Sequence, residues 1–110
     1  MANQTYTFQF PTIDIGGKAV PTGSTTEVSQ ACRMLVGEVT NATGSGITIH
    51  ITDAAGSPGP YDIIPSQTVP ANGGSVSWNF GDVGLYAAGG IIWQAGGAGL
   101  YGRFTVRPIL

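Results

Sequence analysis

Apolar and polar residues alternate in several short runs along this chain. In residues 47–52 every second residue is isoleucine, and the residues between them are threonine, histidine and threonine. Residues 74–80 alternate valine, tryptophan and phenylalanine with serine and asparagine, and residues 5–10 alternate aromatic side chains with threonine and glutamine. A period of two is typical of a β-strand that buries one face, so each run predicts a strand.

The whole sequence predicts about seven strands, at residues 5–10, 35–40, 47–52, 61–64, 74–80, 91–95 and 100–106. The 18 glycines and 7 prolines between and within them leave few windows for helices. We therefore expect helix to stay under about 10% of the chain. The sequence NATGSG between the second and third strands predicts a hairpin. The expected fold is all-β, an antiparallel β-sandwich or jelly-roll-like domain over residues 1–110.

Residues 11–31 lack a sustained period and are long for a connection in a compact domain. We interpret them as an extended polar stretch that reaches a neighbouring subunit, with Ile13, Ile15 and Val20 as contacts. A segment packed on its own domain is the alternative. On the first interpretation, the sandwich folds even when this stretch is deleted. Residues 24–27 fit a helix capping box, but a polar loop that leads into a strand at Arg33 is better supported by the residues that follow.

The sequence GAGLYG at residues 97–102 fits the glycine pattern of dinucleotide-binding proteins. That pattern needs a helix directly after the glycines and an acidic residue roughly 20 positions later. Here the following residues favour a strand that ends at Pro108, and no acidic residue follows. We interpret these glycines as a turn or kink between two strands, so no nucleotide cofactor is expected.

Charged residues make up only 9% of the chain, against about 25% in an average protein. Because interface cores are poor in charge, this composition favours extensive subunit contact. The net charge is −2, and the 4 basic residues cannot form the cationic patch that nucleic-acid binding needs. Arg103 and Arg107, which lie close together in the sequence, are further candidate assembly contacts.

The residue types that carry chemistry are few and scattered. His50 is the only histidine and Cys32 the only cysteine, so zinc binding and a nucleophile–histidine pair are not expected. The acidic residues are far apart in the sequence and form no calcium-binding pattern. We predict no catalytic residue, no metal and no cofactor. The Asn-x-Thr sequences at Asn3 and Asn41 are attributed to chance, because no signal peptide or membrane-spanning run is present to route the chain to glycosylation.

Three aromatic residues suggest a second function. Tyr86, Trp93 and Tyr101 could together form a platform on which sugar rings stack. The opposing interpretation places Trp93, like Trp78, in the core, because each lies among β-forming residues. The first possibility would make the chain a carbohydrate- or receptor-binding module of a phage tail or head fibre.

Three stretches carry a resemblance over residues 31–106: ACRMLVGEVTNATGSGITIHITDAAG, then VPANGGSVSWNF, then AAGGIIWQAGGAGLYGRF. In this order they resemble small β-sandwich virion proteins of tailed bacteriophages, of the head decoration or cement type. The long polar stretch near the N-terminus departs from that pattern. The resemblance implies a non-enzymatic structural role in the virion after assembly in the host cytoplasm, with contacts to a major capsid protein and to other copies, as a trimer. It implies no contact with nucleic acid or membrane.

Overall fold

The computed structural model describes residues 12–55 and 62–109 of the chain. Within these residues the fold is all-β, without helix, and it contains nine strands. They are β1 (Ile13–Ala19), β2 (Thr25–Val28), β3 (Cys32–Asn41), β4 (Ile47–Asp53), β5 (Asp62–Val69), β6 (Gly74–Asn79), β7 (Leu85–Ala87), β8 (Ile91–Ala95) and β9 (Leu100–Pro108). The predicted all-β class and the low helix content are confirmed. The strand predicted at residues 5–10 lies outside the described residues.

Two antiparallel sheets pack face to face as a sandwich. Sheet A has the order β1-β9-β3-β6, and β7 pairs with β3 beyond the end of β6. Sheet B has the order β2-β8-β4-β5. Buried side chains from both sheets form one core, in which the ring of Trp93 from sheet B meets Phe104 of sheet A edge to face, with centroids 5.1 Å apart. The predicted sandwich is therefore the observed architecture.

Two interpretations of residues 11–31 were open, and for the described residues, 12–31, the structure supports the alternative, a segment packed on its own domain. β1 pairs with β9, and β2 pairs with β8, so both strands belong to this domain. A shift in the pairing register between Ile15 and Lys18, at two glycines, interrupts the alternation and hides β1 in the sequence. Deleting residues 11–31 would remove an edge strand from each sheet, so we now expect this deletion to destabilise the sandwich, contrary to the expectation from the sequence.

The predicted hairpin at NATGSG is wrong as well. β3 belongs to sheet A and β4 to sheet B, so residues 42–46 form an arch that connects the two sheets. The glycines of GAGLYG lie in a similar arch between β8 and β9, with Gly99 at a φ of 118° and Gly102 already inside β9. A strand and not a helix follows the glycines. Gly97 and Gly99 therefore serve the backbone connection, as the sequence predicts, but Gly102 instead makes room in the core for the ring of Trp93.

β5 also differs from its prediction, because it continues through Pro65 to Val69 instead of ending at the proline. Proline is tolerated there because β5 is an edge strand with neighbours on one side only. Two register shifts interrupt the pairing of β4 with β5 near this proline.

Candidate functional site

The outward side of sheet A, called here the A face, differs from the rest of the surface in its charge. Arg33, Arg103 and Arg107 all point outward from it, and they are three of the 4 basic residues in the chain. The cross-strand register places Arg33 directly opposite Arg107, and Arg103 opposite Glu38. Two like charges side by side destabilise a sheet, so the pairing of Arg33 with Arg107 opposes folding.

Two contacts offset this repulsion. The Arg33 guanidinium lies 5.6 Å from the ring centroid of Tyr86, in a cation–π arrangement. Arg107 donates a hydrogen bond from Nη1 to the carbonyl of Asp82 at 2.6 Å. Arg103 makes no hydrogen bond or ion pair within the described residues, and its side chain is exposed. The A face therefore presents one unengaged guanidinium beside two that are held in place.

Exposed large apolar side chains gather at the β7 end of the same sheet. Val83 is 71% exposed, Tyr86 53% and Val36 45%, and Leu85 and Ile109 are also exposed. We call these five residues the β7 patch. Tyr86 and Leu85 pair with Arg33 and Met34, and the Ile109 N–H donates to the Ala31 carbonyl next to the start of β3. Exposed apolar clusters on proteins often mark sites of protein contact.

A groove of about 360 Å³ lies in the middle of the A face, between β1 and β3. Gly16 and Gly17 of β1 border it without side chains, Gly37 contributes only backbone because its α-carbon packs inward against Trp78, and Val36 and Arg103 also line it. Asp14 sits at its margin and accepts a hydrogen bond from the Thr105 hydroxyl at 2.8 Å. The groove has the size and the mixed polarity to receive a side chain from a protein partner.

The outward side of sheet B, the B face, is different, because its longer polar side chains bond to one another. Gln94 accepts a hydrogen bond from the Ser24 hydroxyl at 3.0 Å and donates to the Thr22 carbonyl at 3.1 Å. His50 Nε2 lies 2.8 Å from a carboxylate oxygen of Asp62, and both side chains are about three-quarters buried. A histidine–carboxylate pair can orient a proton, but no described serine, cysteine or threonine hydrogen-bonds to this imidazole. This pair alone therefore forms no nucleophilic site.

The apolar residues predicted as assembly contacts pack on their own domain. Val20 is only 3% exposed and belongs to the core, while Ile13 and Ile15 are partly buried and pack against it. Their pairing with β9 turns both isoleucines inward, opposite Val106 and Phe104. These three side chains are therefore occupied within the domain. Arg103 and Arg107, the two polar contacts of that prediction, both lie on the A face.

The three aromatic residues of the sugar hypothesis are not brought together. Trp93 is fully buried, and its Nε1 donates to Glu27 at 3.0 Å. Tyr86 and Tyr101 are exposed, but they pair with Arg33 and Thr40, which lie seven residues apart along β3. That separation is about 23 Å at the rise of a strand. No platform of three rings exists, and the alternative placement of Trp93 in the core is correct.

Glu27 joins the two edges of the sandwich at β1 and β2. Its second oxygen accepts a hydrogen bond from Lys18 Nζ at 3.1 Å, while the first accepts the indole N–H of Trp93. The fourth cation of the chain is thereby engaged between the sheets. The sequence suggested a helix-capping role for Glu27 and also counted it among the scattered acidic residues, but strand β2 gives it this different role.

Two buried polar residues, for which the sequence suggested no structural role, hydrogen-bond to backbone groups at the two ends of the sandwich. Asn41 is fully buried, and its side-chain amide donates to the carbonyls of Ser45 and Val69. Its side-chain oxygen accepts from the backbone N–H and the hydroxyl of Thr43. The Asn-Ala-Thr sequence that looked like a chance glycosylation site is therefore an Asx-turn.

At the opposite end of the sandwich, Asp53 hydrogen-bonds to backbone groups of the loops. It is 6% exposed and accepts backbone N–H bonds from Ala55, Ala88 and Gly89 at 2.8–2.9 Å. Burial on its own would raise the pKa of Asp53, but these three N–H donors stabilise the carboxylate, and together they lower it below its usual value. Burial, with a smaller contribution from the charge of Asp53, raises the pKa of the Cys32 thiol to about 11.

Among the described residues, no group of three or more histidine, cysteine or acidic side chains is placed to bind a metal ion. The described part of the chain also has no helix with the length and apolar character to cross a membrane. Comparisons with protein-family models, with curated proteins and with solved structures found no match to this chain.

Proposed function

We propose that this chain is a non-enzymatic structural protein of a tailed-bacteriophage virion, a head decoration protein that binds the capsid through its A face. The observation that carries the proposal is that sheet A, with the segments next to its strands, holds three outward-facing arginines, the β7 patch and a groove. The described strands of sheet B carry no arginine and no exposed large apolar side chain. An asymmetric molecule of this kind is suited to attachment by one side.

The chemistry of the A face indicates the kind of partner. Arg33 and Arg107 lie side by side in a chain with only 4 basic residues, and this arrangement costs stability. A partner that brings carboxylates to this position would remove the repulsion, and guanidinium–carboxylate pairs are strong and directional. The major capsid protein of the same phage would therefore present acidic and apolar side chains to this face.

A binding experiment tests the proposal directly. Shells assembled from the major capsid protein of the genome that encodes this chain are mixed with purified protein, and bound protein is measured by co-sedimentation. Sedimentation velocity of the free protein at high micromolar concentration gives its oligomeric state, for which we expect a trimer. A genome without a capsid gene, or a monomer that does not bind shells, would contradict the proposal.

The matched pair Arg103→Glu and Thr68→Glu locates the contact. Both positions are exposed on strands, but Arg103 faces outward on sheet A and Thr68 lies on β5 of sheet B. Reversing the charge at Arg103 is expected to weaken shell binding by about tenfold or more, which corresponds to about 1.4 kcal/mol. The Thr68 variant is expected to bind like the unchanged protein. Equal losses for both variants would show that the A face is not the contact.

A glycan array distinguishes the alternative, a carbohydrate- or receptor-binding module. The separation of Tyr86 from Tyr101 and the burial of Trp93 remove the aromatic platform on which that hypothesis relied. We expect no specific glycan binding. Specific binding that is lost in Tyr86→Ala or Tyr101→Ala would support the alternative instead.

A further inference from the structure

Four strand positions lie at the edges of the two sheets, and three of them carry features that block pairing with another chain. β5 contains Pro65 and two register shifts. β2 has four residues and a shift of its own, and β1 has a shift at its glycines and carries Lys18. Prolines, bulges, charges and short length are the usual means by which proteins prevent strand addition at sheet edges.

β6 has none of these protective features. Its six residues, Gly74–Asn79, pair with β3 without a register shift and include no proline and no charged side chain. The hydrogen bond from the Phe80 N–H to the Leu35 carbonyl shows which residues of β6 direct their backbone groups toward β3. Because antiparallel bonds alternate, the backbone groups of Ser75, Ser77 and Asn79 point away from β3. No described strand pairs with them there.

The inner side of β6 is also incompletely covered. Val76 and Phe80 are only partly buried, although both pack against the core. Trp78 is 8% exposed, yet its indole Nε1 is buried without a hydrogen-bond partner among the described residues. A buried donor without a partner is costly, so the β6 edge is incompletely satisfied by its own domain.

Residues 5–10 match this edge in length and pattern. Both segments have six residues and no charge. In residues 5–10, Tyr6, Phe8 and Phe10 alternate with threonine and glutamine, just as Val76 and Trp78 alternate with serine and asparagine. We propose that residues 5–10 of one copy add to sheet A of a neighbouring copy as a further strand along β6. The aromatic residues extend the core past Trp78, and the polar residues continue the outer row of serines.

Geometry assigns the strand to a neighbouring copy. The position beyond β6 lies four strand spacings from β1, or about 19 Å. Only three residue steps separate Phe10 from Ile13, the first residue of β1, and they span at most about 11 Å. Residues 5–10 therefore cannot pair along their whole length with β6 of the same chain. Pro11 also prevents a two-residue hairpin onto β1, because such turns need a positive φ.

This inference deepens the proposed function and rests on it, because it supplies the contact between copies of an assembling protein. One copy gives its N-terminal strand and receives a strand at a different surface, so the contact is head-to-tail. Contacts of this kind close into rings when the rotation per copy permits. A trimer with three such contacts would leave no open β6 edge.

Disulfide trapping tests the contact in the full chain. Copies carrying Thr7→Cys are mixed with copies carrying Ser77→Cys, unfolded in urea, refolded together and oxidised in a glutathione buffer. Facing residues on neighbouring antiparallel strands are close enough for a disulfide. We expect a covalent heterodimer. Thr5→Cys and Gln9→Cys, each mixed with Ser77→Cys, test pairings in which the added strand is shifted by two residues. Thr7→Cys mixed with Thr68→Cys on β5 is the control and is expected not to cross-link. The native Cys32 is fully buried and does not compete.

A second pair of variants measures assembly without cross-linking. Replacing Tyr6, Phe8 and Phe10 together by serine is expected to convert the oligomer to a folded monomer in sedimentation velocity. The conservative set Thr5→Ser, Thr7→Ser and Gln9→Asn on the opposite side is expected to retain assembly. An oligomer that survives the serine variants and shows no cross-link at any of the three positions would overturn this inference and leave the proposed function standing. A parent protein that is monomeric and does not bind shells would overturn both.

Discussion

The two ends of the sandwich differ in the side chain that hydrogen-bonds to the backbone of the loops. At each end a buried polar side chain gathers backbone groups from separate loops: Asn41 at the end of β3, and Asp53 at the end of β4. Asn41 both donates and accepts, whereas Asp53 only accepts, and does so from three backbone N–H groups. The neutral amide satisfies carbonyls and donors together, while the carboxylate makes stronger bonds to donors alone.

This difference has consequences for stability. An ionised carboxylate that accepts several backbone bonds contributes more to folding than an amide does, but its contribution depends on pH. The Asn41 end is indifferent to pH. The contribution of the Asn41 end to stability is therefore independent of pH, whereas acid lowers the contribution of the Asp53 end.

The largest effect is expected from Asp53→Ala. This change leaves three partly buried N–H groups without their acceptor, and we expect a loss of about 3 to 4 kcal/mol in the free energy of unfolding. Urea denaturation followed by tryptophan fluorescence measures it. Asp82→Ala is the control, because the described structure shows no hydrogen bond to its exposed carboxylate. A loss below about 1 kcal/mol would show that the Asp53 end does not depend on the carboxylate.

Asn41→Ala is expected to cost somewhat less, about 3 kcal/mol, because the bonds it removes are between neutral groups. The carbonyls of Ser45 and Val69 would lose their donor, and the Thr43 N–H its acceptor. The same urea titration compares the two ends. Ser45→Ala serves as the control, since only the backbone of Ser45 takes part. If Asn41→Ala destabilised the protein more than Asp53→Ala, the ranking by charge would be wrong.

The pH dependence separates the two ends further. The pKa of Asp53 is lower in the folded protein than in the unfolded chain, so its contribution is complete above the unfolded value of 3.8. It is lost as the pH falls from there through the folded value. Urea titrations between pH 7 and pH 2 should show a smaller loss of stability in acid for Asp53→Asn than for the parent. Asn41→Ala should keep the slope of the parent. Identical slopes for the parent and Asp53→Asn would contradict this assignment.

The smallest effect is expected at Cys32, which lies near Asp53. Its pKa of about 11 is set first by burial and only second by the carboxylate. In the native protein at pH 8, labelling by a thiol reagent should be far slower than in urea, and Asp53→Asn should accelerate it only slightly. Rapid labelling of the native parent would show that this end opens more readily than its hydrogen bonds suggest.

The sequence predicts the strands whose alternation is regular and misses those whose alternation is broken. β4 and β6 were found because apolar residues occupy every second position. β1 was missed because its register shift falls on Gly16 and Gly17, and β2 because it has only four residues. Such shifts are set by the partner strand, β9 or β8, which a local pattern does not contain.

The arches and the candidate site could not be predicted from local sequence patterns for a similar reason. NATGSG has the composition of a hairpin turn, and only the burial of Asn41 between two sheets distinguishes an arch from a hairpin. The candidate contacts Arg103 and Arg107 were named from their closeness in sequence. Their position beside Arg33 and the β7 patch depends on pairings that span most of the chain.

The pairing of β1 with β9 determines when this protein is able to fold. It joins Ile13 to Val106, so sheet A stays incomplete until the residues of β9 have left the ribosome. Pairings so distant in sequence are slow to form, and folding in milliseconds to seconds is expected for such topologies. During synthesis, the isoleucines of β1 stay exposed until β9 is available for pairing. Until then sheet A offers an unpaired edge on β3, a kind of exposed edge that favours aggregation.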